Sequence, residues 1–240
     1  MEYIGDTLSI SYRIRLAKYV VKDFDIQLDK DTLLMHTRAD AARPAWAELG
    51  QSRCPNCTLD PSAHSHCPSA VNLVELIDYL KDITSYKKVE VSVVFRDRTY
   101  LKNTTIQSVA SSLMGIIMVS SGCPVLDKLR PMVETHLPFS FWDETTYRIV
   151  SMYLFAQYFL YKSGEAPDWD LAGLVKLLDD VETVNRSFCD RLDMVRSEDS
   201  CVNAVSILNL KGSMAKFSII EDELTHWRDI FLRHYVKTAM

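Results

Sequence analysis

A chain of 240 residues, 48% hydrophobic and 25% charged, can bury a full core as one large domain or two small ones. Its net charge of -5, without a run of lysine or arginine, excludes the electrostatic footprint of a protein that grips a nucleic-acid backbone. The longest apolar runs, Leu113 to Val119 and Met152 to Tyr161, fall short of the ~20 residues a spanning helix needs, so no membrane span is expected.

The opening Met-Glu-Tyr-Ile-Gly-Asp has neither a basic nor an apolar leader region, and a cytoplasmic, reducing compartment is the expectation. Leu8, Ile10, Tyr12, Ile14 and Leu16 alternate with Ser9, Ser11, Arg13 and Arg15, which predicts a strand with one wet face. Phe24, Ile26 and Leu28 alternate with Asp23, Asp25 and Gln27 in the same way. Asp29-Lys30-Asp31 then turns the chain into a short run, Thr32 to Met35, so the spacing predicts an antiparallel meander.

Over residues 37–68 the periodicity disappears, and Pro44, Gly50, Pro55 and Pro61 interrupt the chain. Arg38 to Arg43 reads as a solvated turn. Beyond it, Cys54-Pro-Asn-Cys57 and Ser-Ala-His64-Ser-His66-Cys67-Pro place three cysteines and two histidines within fourteen positions. The two thiolates of Cys-x2-Cys can chelate one ion, and the third returns after a turn that forms no element of its own. This is the spacing of a metal knuckle, and a metal would order a long loop that has no periodic structure.

After Cys67 the period changes. Leu73, Leu76, Ile77, Leu80 and Ile83 form one helical stripe, with Ser69 placed to cap it two residues beyond the cysteine. A thiolate beside a helix N-terminus is favoured by the exposed N–H groups. Val89, Val91, Val93 and Phe95 predict a further strand, and Thr99 to Leu101 a return beside it. Residues 1–102 therefore read as an α+β part carrying the metal loop.

Residues 103–240 read as a helical bundle packed on it as one unit, since no linker of Pro, Gly or Ser marks the junction. The first helix, on Val109, Leu113 and Ile117, ends at Gly122-Cys123-Pro124. A short helix from Val125 is limited by Pro131 and Pro138. An aromatic helix over 143–161 follows, capped by Ser140 or Asp143. Another starts at about Asp168 on Leu171, Leu174 and Leu178, and two more begin near Val202 and Leu224. The aromatic helix reads first as core, with a protein partner or self-association as the alternative use of its rings.

A tetrahedral site needs a fourth ligand. Cys123 is the first candidate because, like Cys54 and Cys67, it precedes a proline that keeps it out of a continuing helix. His64 is the alternative, completing a local Cys54-x2-Cys57-x6-His64-x2-Cys67 knuckle; adjacent His66 aims away from the same ion. Cys189 and Cys201 read as buried thiols. Zinc is preferred over an iron-sulfur cluster, whose ferredoxin spacing is absent, and over a redox dithiol, which needs a helix opening at its first cysteine where Thr58-Leu59-Asp60-Pro61 stands. Glu134 and His136 could serve proton transfer, but the sequence shows no base–orienter pair, and no catalytic residue is assigned.

The segments Cys-Pro-Asn-Cys (54–57), His-Cys-Pro (66–68), Ser-Ser-Gly-Cys-Pro (120–124), His-Leu-Pro-Phe (136–139) and Ser-Met-Tyr-Leu-Phe-Ala-Gln-Tyr-Phe (151–159) resemble an uncharacterised bacterial family, a domain of unknown function. The resemblance implies one integrated unit rather than a detachable zinc finger, and carries no activity. The expectation from the residues is a structural zinc protein acting as a binding or regulatory module. The alternatives are an iron-sulfur protein, or a small-molecule enzyme with a site near Cys123 and His136.

Overall fold

A computed structural model describes residues 7–17, 20–37, 41–195, 199–221, 224–233 and 235. The alternation at the N-terminus becomes β1 (Thr7–Ala17) and β2 (Val20–Asp29), and the later pair becomes β3 (Lys88–Phe95) and β4 (Arg98–Thr105). They form one four-stranded sheet in the order β2-β1-β3-β4, antiparallel throughout. Register puts Ile10 beside Ile26 and Phe95, and Tyr12 beside Phe24 and Val93, so one face is apolar and buried. The other face is wet and carries cross-strand pairs: Ser11 on Asp25, Arg13 on Asp23, Arg15 on Glu90.

The helices are α1 (Pro68–Leu80), α2 (Ile106–Ser120), α3 (Trp142–Lys162), α4 (Ala172–Asp193), α5 (Ser200–Ile220) and α6 (Thr225–Leu232). None of the described helices is long and apolar enough to cross a membrane. The fold is α+β: an antiparallel sheet followed by helices. One continuous group of buried side chains runs from Leu8 and Ile14 on the sheet, through Leu113 on α2, to Ala204 and Ala215 on α5.

Several expectations need correction. Thr32 to Met35 is not a third strand. Leu33 adopts a left-handed conformation (φ 57°), the Asp29 carboxylate accepts the Thr32 N–H at 2.7 Å, and only Met35 bridges to Leu28. The Met35 N–H instead donates to the Ser120 carbonyl at the end of α2 (2.8 Å). Ser69 does not cap α1: Cys67 itself holds that position, with Pro68 as the first helical residue. The chain from 126 to 135 winds as 3-10 turns, tightened by Pro131. Arg38, Ala39 and Asp40 lie outside the described residues.

The aromatic helix is core only in part. Ile149 is buried, but Phe155 and Phe159 are 66% and 60% exposed, and Tyr158 and Tyr161 stand beside them on the surface. α4 begins four residues after Asp168, whose carboxylate accepts the N–H groups of Ala172 and Gly173 and the Tyr153 hydroxyl. Tyr153 presses so closely on Gly173 that no Cβ fits there.

Candidate metal centre

Cys54 and Cys57 flank a tight turn in which the Cys57 N–H donates to the Cys54 carbonyl (3.0 Å). Arg53 fastens that turn by donating to the carbonyls of Cys57 (3.0 Å) and Leu59 (2.9 Å). Cys67 enters from the other end of the loop. Its N–H donates to Ala47 (2.9 Å) and the Leu49 N–H to Ser65 (2.9 Å), so the two loop ends zip together below α1. Cys123 arrives from the other half of the chain. Gly122, at φ 88°, ends α2 in a left-handed turn that residues with a Cβ adopt at a cost, and the chain leaves it toward the loop.

All four thiols line one small cavity of about 20 Å³, together with Leu59, Pro68, Val184, Phe188 and Arg191. Burial pushes the Cys54 thiol up to about 11, helped by the neighbouring Cys67, Cys123 and Cys57 and opposed by a hydrogen bond with Ser187. Burial raises Cys123 too, while its sulfur accepts hydrogen bonds from the N–H groups of Leu126 and Val125. Such N–H···S bonds from the residues just past a Cys-Pro offset charge on sulfur. Convergence on a cavity is less than a coordination shell: among the described residues, no group of three or more His, Cys, Asp or Glu side chains is drawn together to hold a metal ion.

His64 does not line the cavity. It is exposed, with Nδ1 3.3 Å from the Asp60 carbonyl, and His66 Nδ1 lies 2.8 Å from Ser65 Oγ. Cys201 is fully buried, its thiol pushed up to about 12 by that burial, and Cys189 is half-buried on α4. All six cysteines are free thiols.

The sequence reading missed what holds the loop. Arg191 is buried at 2% exposure, and its guanidinium donates to the carbonyls of Trp46 (2.5 Å), Glu48 (2.8 Å) and Ser52 (3.2 Å). Asn56 Nδ2 donates to the Asp180 carbonyl (3.0 Å), and Ser187 reaches Cys54. Asp180, Val184, Ser187 and Arg191 are one face of α4, so the C-terminal half grips the knuckle along three turns of helix. A signal was present: Arg191 falls three residues after Phe188 and seven after Val184, on the stripe where an aliphatic residue belongs.

A family model described as Domain of unknown function (DUF6901) matches residues 10–232. The chain belongs to this family. The match takes in the sheet, the knuckle and Cys123 on α2's end together. No curated protein and no solved structure matches the chain.

The second candidate region of this DUF6901 chain lies apart from the cysteines. His136 Nε2 is 2.8 Å from the Tyr12 hydroxyl, which is 2.7 Å from Ser112 Oγ. Burial, and the nearby Arg148 guanidinium, lower the His136 pKa to about 3, and burial raises that of Tyr12. The imidazole is therefore neutral near pH 7, and Ser112, Tyr12 and His136 form one hydrogen-bonded chain. Glu134 pairs with Arg96 and offers His136 no orienting carboxylate. His136 and Cys123 line different cavities.

Proposed function

We propose that Cys54, Cys57, Cys67 and Cys123 hold one zinc ion whose role is structural, and that this DUF6901 protein is a binding or regulatory module stapled by it. The observation that carries the reading is that thiols from three separated segments line one cavity, whereas His64 does not. The cavity of about 20 Å³ suits one water-sized sphere, hence a single ion better than a cubane cluster of iron and sulfide. Four thiolates around a divalent ion would leave excess negative charge, which Arg191 and the N–H groups at the start of α1 are placed to offset.

A closed tetrahedral thiolate site leaves no open position for chemistry, which favours a structural over a catalytic role. The surface the reading assigns to another protein, or to a second copy of this one, is the outer side of α3, where Phe155, Tyr158, Phe159 and Tyr161 are exposed. Elemental analysis with a visible spectrum of freshly purified protein tests the metal. The reading expects one zinc per chain and no colour. Brown protein with iron and sulfide would replace it with the cluster; neither metal would remove it.

A further inference from the structure

The helical half lines a half-open cavity of about 160 Å³ between α2, α3, α4, α5 and the 126–140 segment. Ile116, Leu129, Val133, Ile149, Val181 and Leu208 make most of its wall aliphatic. Two cationic side chains, Arg148 and Lys211, also line it, and among the described residues none that lines it is acidic. Nothing here depends on the metal reading, since no cysteine among the described residues lines the cavity.

Both cations hold neutral partners. Arg148 Nη2 donates to the Met132 carbonyl (2.7 Å) and Lys211 Nζ to the Ser140 carbonyl (2.7 Å). Arg148 Nε is buried without a hydrogen-bond partner, and so is the hydroxyl of Ser111 on the same wall. A buried unmet donor on a half-buried cation is costly, and native structures rarely leave one without a reason. Burial depresses both side chains' pKa values, and the acid that both feel is Glu144, which spends one oxygen on the Phe141 N–H (2.7 Å). Lys102 adds a further positive field at Lys211. Arg148 and Lys211 line the cavity and Glu144 does not, so positive charge is in excess on a largely apolar wall.

We propose that this cavity binds a small monocarboxylate whose apolar body has the bulk of one benzene ring or a short acyl chain. The size follows from the volume, since an apolar cavity of about 150 Å³ admits benzene. The charge follows from Arg148 and Lys211. Met132, His136, Leu137 and Arg148 line both this cavity and a neighbouring, wider groove of about 1360 Å³, so the wall the two share contains the cation that receives the carboxylate. Neutral His136 and the Ser112–Tyr12–His136 chain fix that wall without adding charge.

Calorimetric titration of the full chain with benzoate and hexanoate, each against its neutral amide, tests the proposal. At least one acid should bind and raise the melting temperature, with its amide at least tenfold weaker. In methyl-labelled protein the bound acid should give nuclear Overhauser contacts to Ile116, Ile149 and Leu208. A Cβ at Gly212 on the cavity wall meets nothing within 4 Å, so Gly212→Leu should fill the space and abolish binding while circular dichroism stays native. The proposal is overturned if neither acid binds at millimolar concentration, if an amide matches its acid, or if the contacts fall outside the cavity. Those methyl contacts decide the location even where Gly212→Leu fails to fold.

Discussion

Buried polar side chains set the pH behaviour and the local rigidity of this protein. His136 is neutral in the folded chain, with its pKa lowered to about 3, whereas an unfolded histidine titrates near 6.5. Between those values the unfolded chain binds the extra proton. The stabilisation is complete above about pH 6.5 and is lost as pH falls toward 3, at most about 1.4 kcal/mol per pH unit. Urea denaturation of His136→Gln against wild type from pH 7 to 4 should show the flatter profile in the variant; parallel profiles would mean that His136 charges freely in the fold. Arg191 makes a second residue-scale prediction. Removing its guanidinium takes away three charge-assisted hydrogen bonds, to the carbonyls of Trp46, Glu48 and Ser52, of which Glu48 keeps the Gln51 N–H, at about 1–3 kcal/mol each. Arg191→Met should lower stability by about 3 kcal/mol or more and speed the reaction of Cys54 and Cys57 with a thiol reagent. Unchanged thiol reactivity would show that the loop is held without it.

Elements were legible where side-chain period and burial agree. Strands β1, β2 and β3 follow their alternation because one face of the sheet is buried and the other carries charge pairs. Thr32 to Met35 has strand residues and lies beside the open edge of β2, yet makes only the Met35–Leu28 bridge there, since the Asp29 carboxylate closes the turn first. The cap of α1 was misread because Ser69 is the better cap by residue type, yet Pro68 is pre-set for the first helical position and moves the boundary to Cys67. The four cysteines could be picked out by spacing and by their prolines. Their shared cavity depends on α4 covering the loop from 124 residues away along the chain, and no local pattern encodes that contact. Gly122 tests the geometry at this scale. Gly122→Ala should cost about 1 kcal/mol or more at φ 88° and displace Cys123, so metal occupancy should fall with stability. A stable, fully occupied variant would separate the helix end from the site.

Across the whole molecule, the loop between β2 and α1 is one place where the N-terminal and helical parts meet. It is tied to α4 by Asn56 and Arg191, runs into α1 at Cys67 and lines one cavity with Cys123 at the end of α2, while the buried core continues from Leu8 to Ala215. Limited proteolysis should accordingly yield no stable fragment beginning near residue 104, and early release of a folded helical half would show two independent domains. The claim that ties these observations together is that Cys123 shares one ion with Cys54, Cys57 and Cys67. Ligand binding and folding would then be one process, and a structural zinc site is worth ~10 kcal/mol or more. The direct measurement is zinc content and melting temperature of Cys123→Ser beside His64→Ala. The account predicts that Cys123→Ser loses zinc and melts well below wild type while His64→Ala matches wild type in both. Full zinc in Cys123→Ser together with its loss from His64→Ala would contradict it.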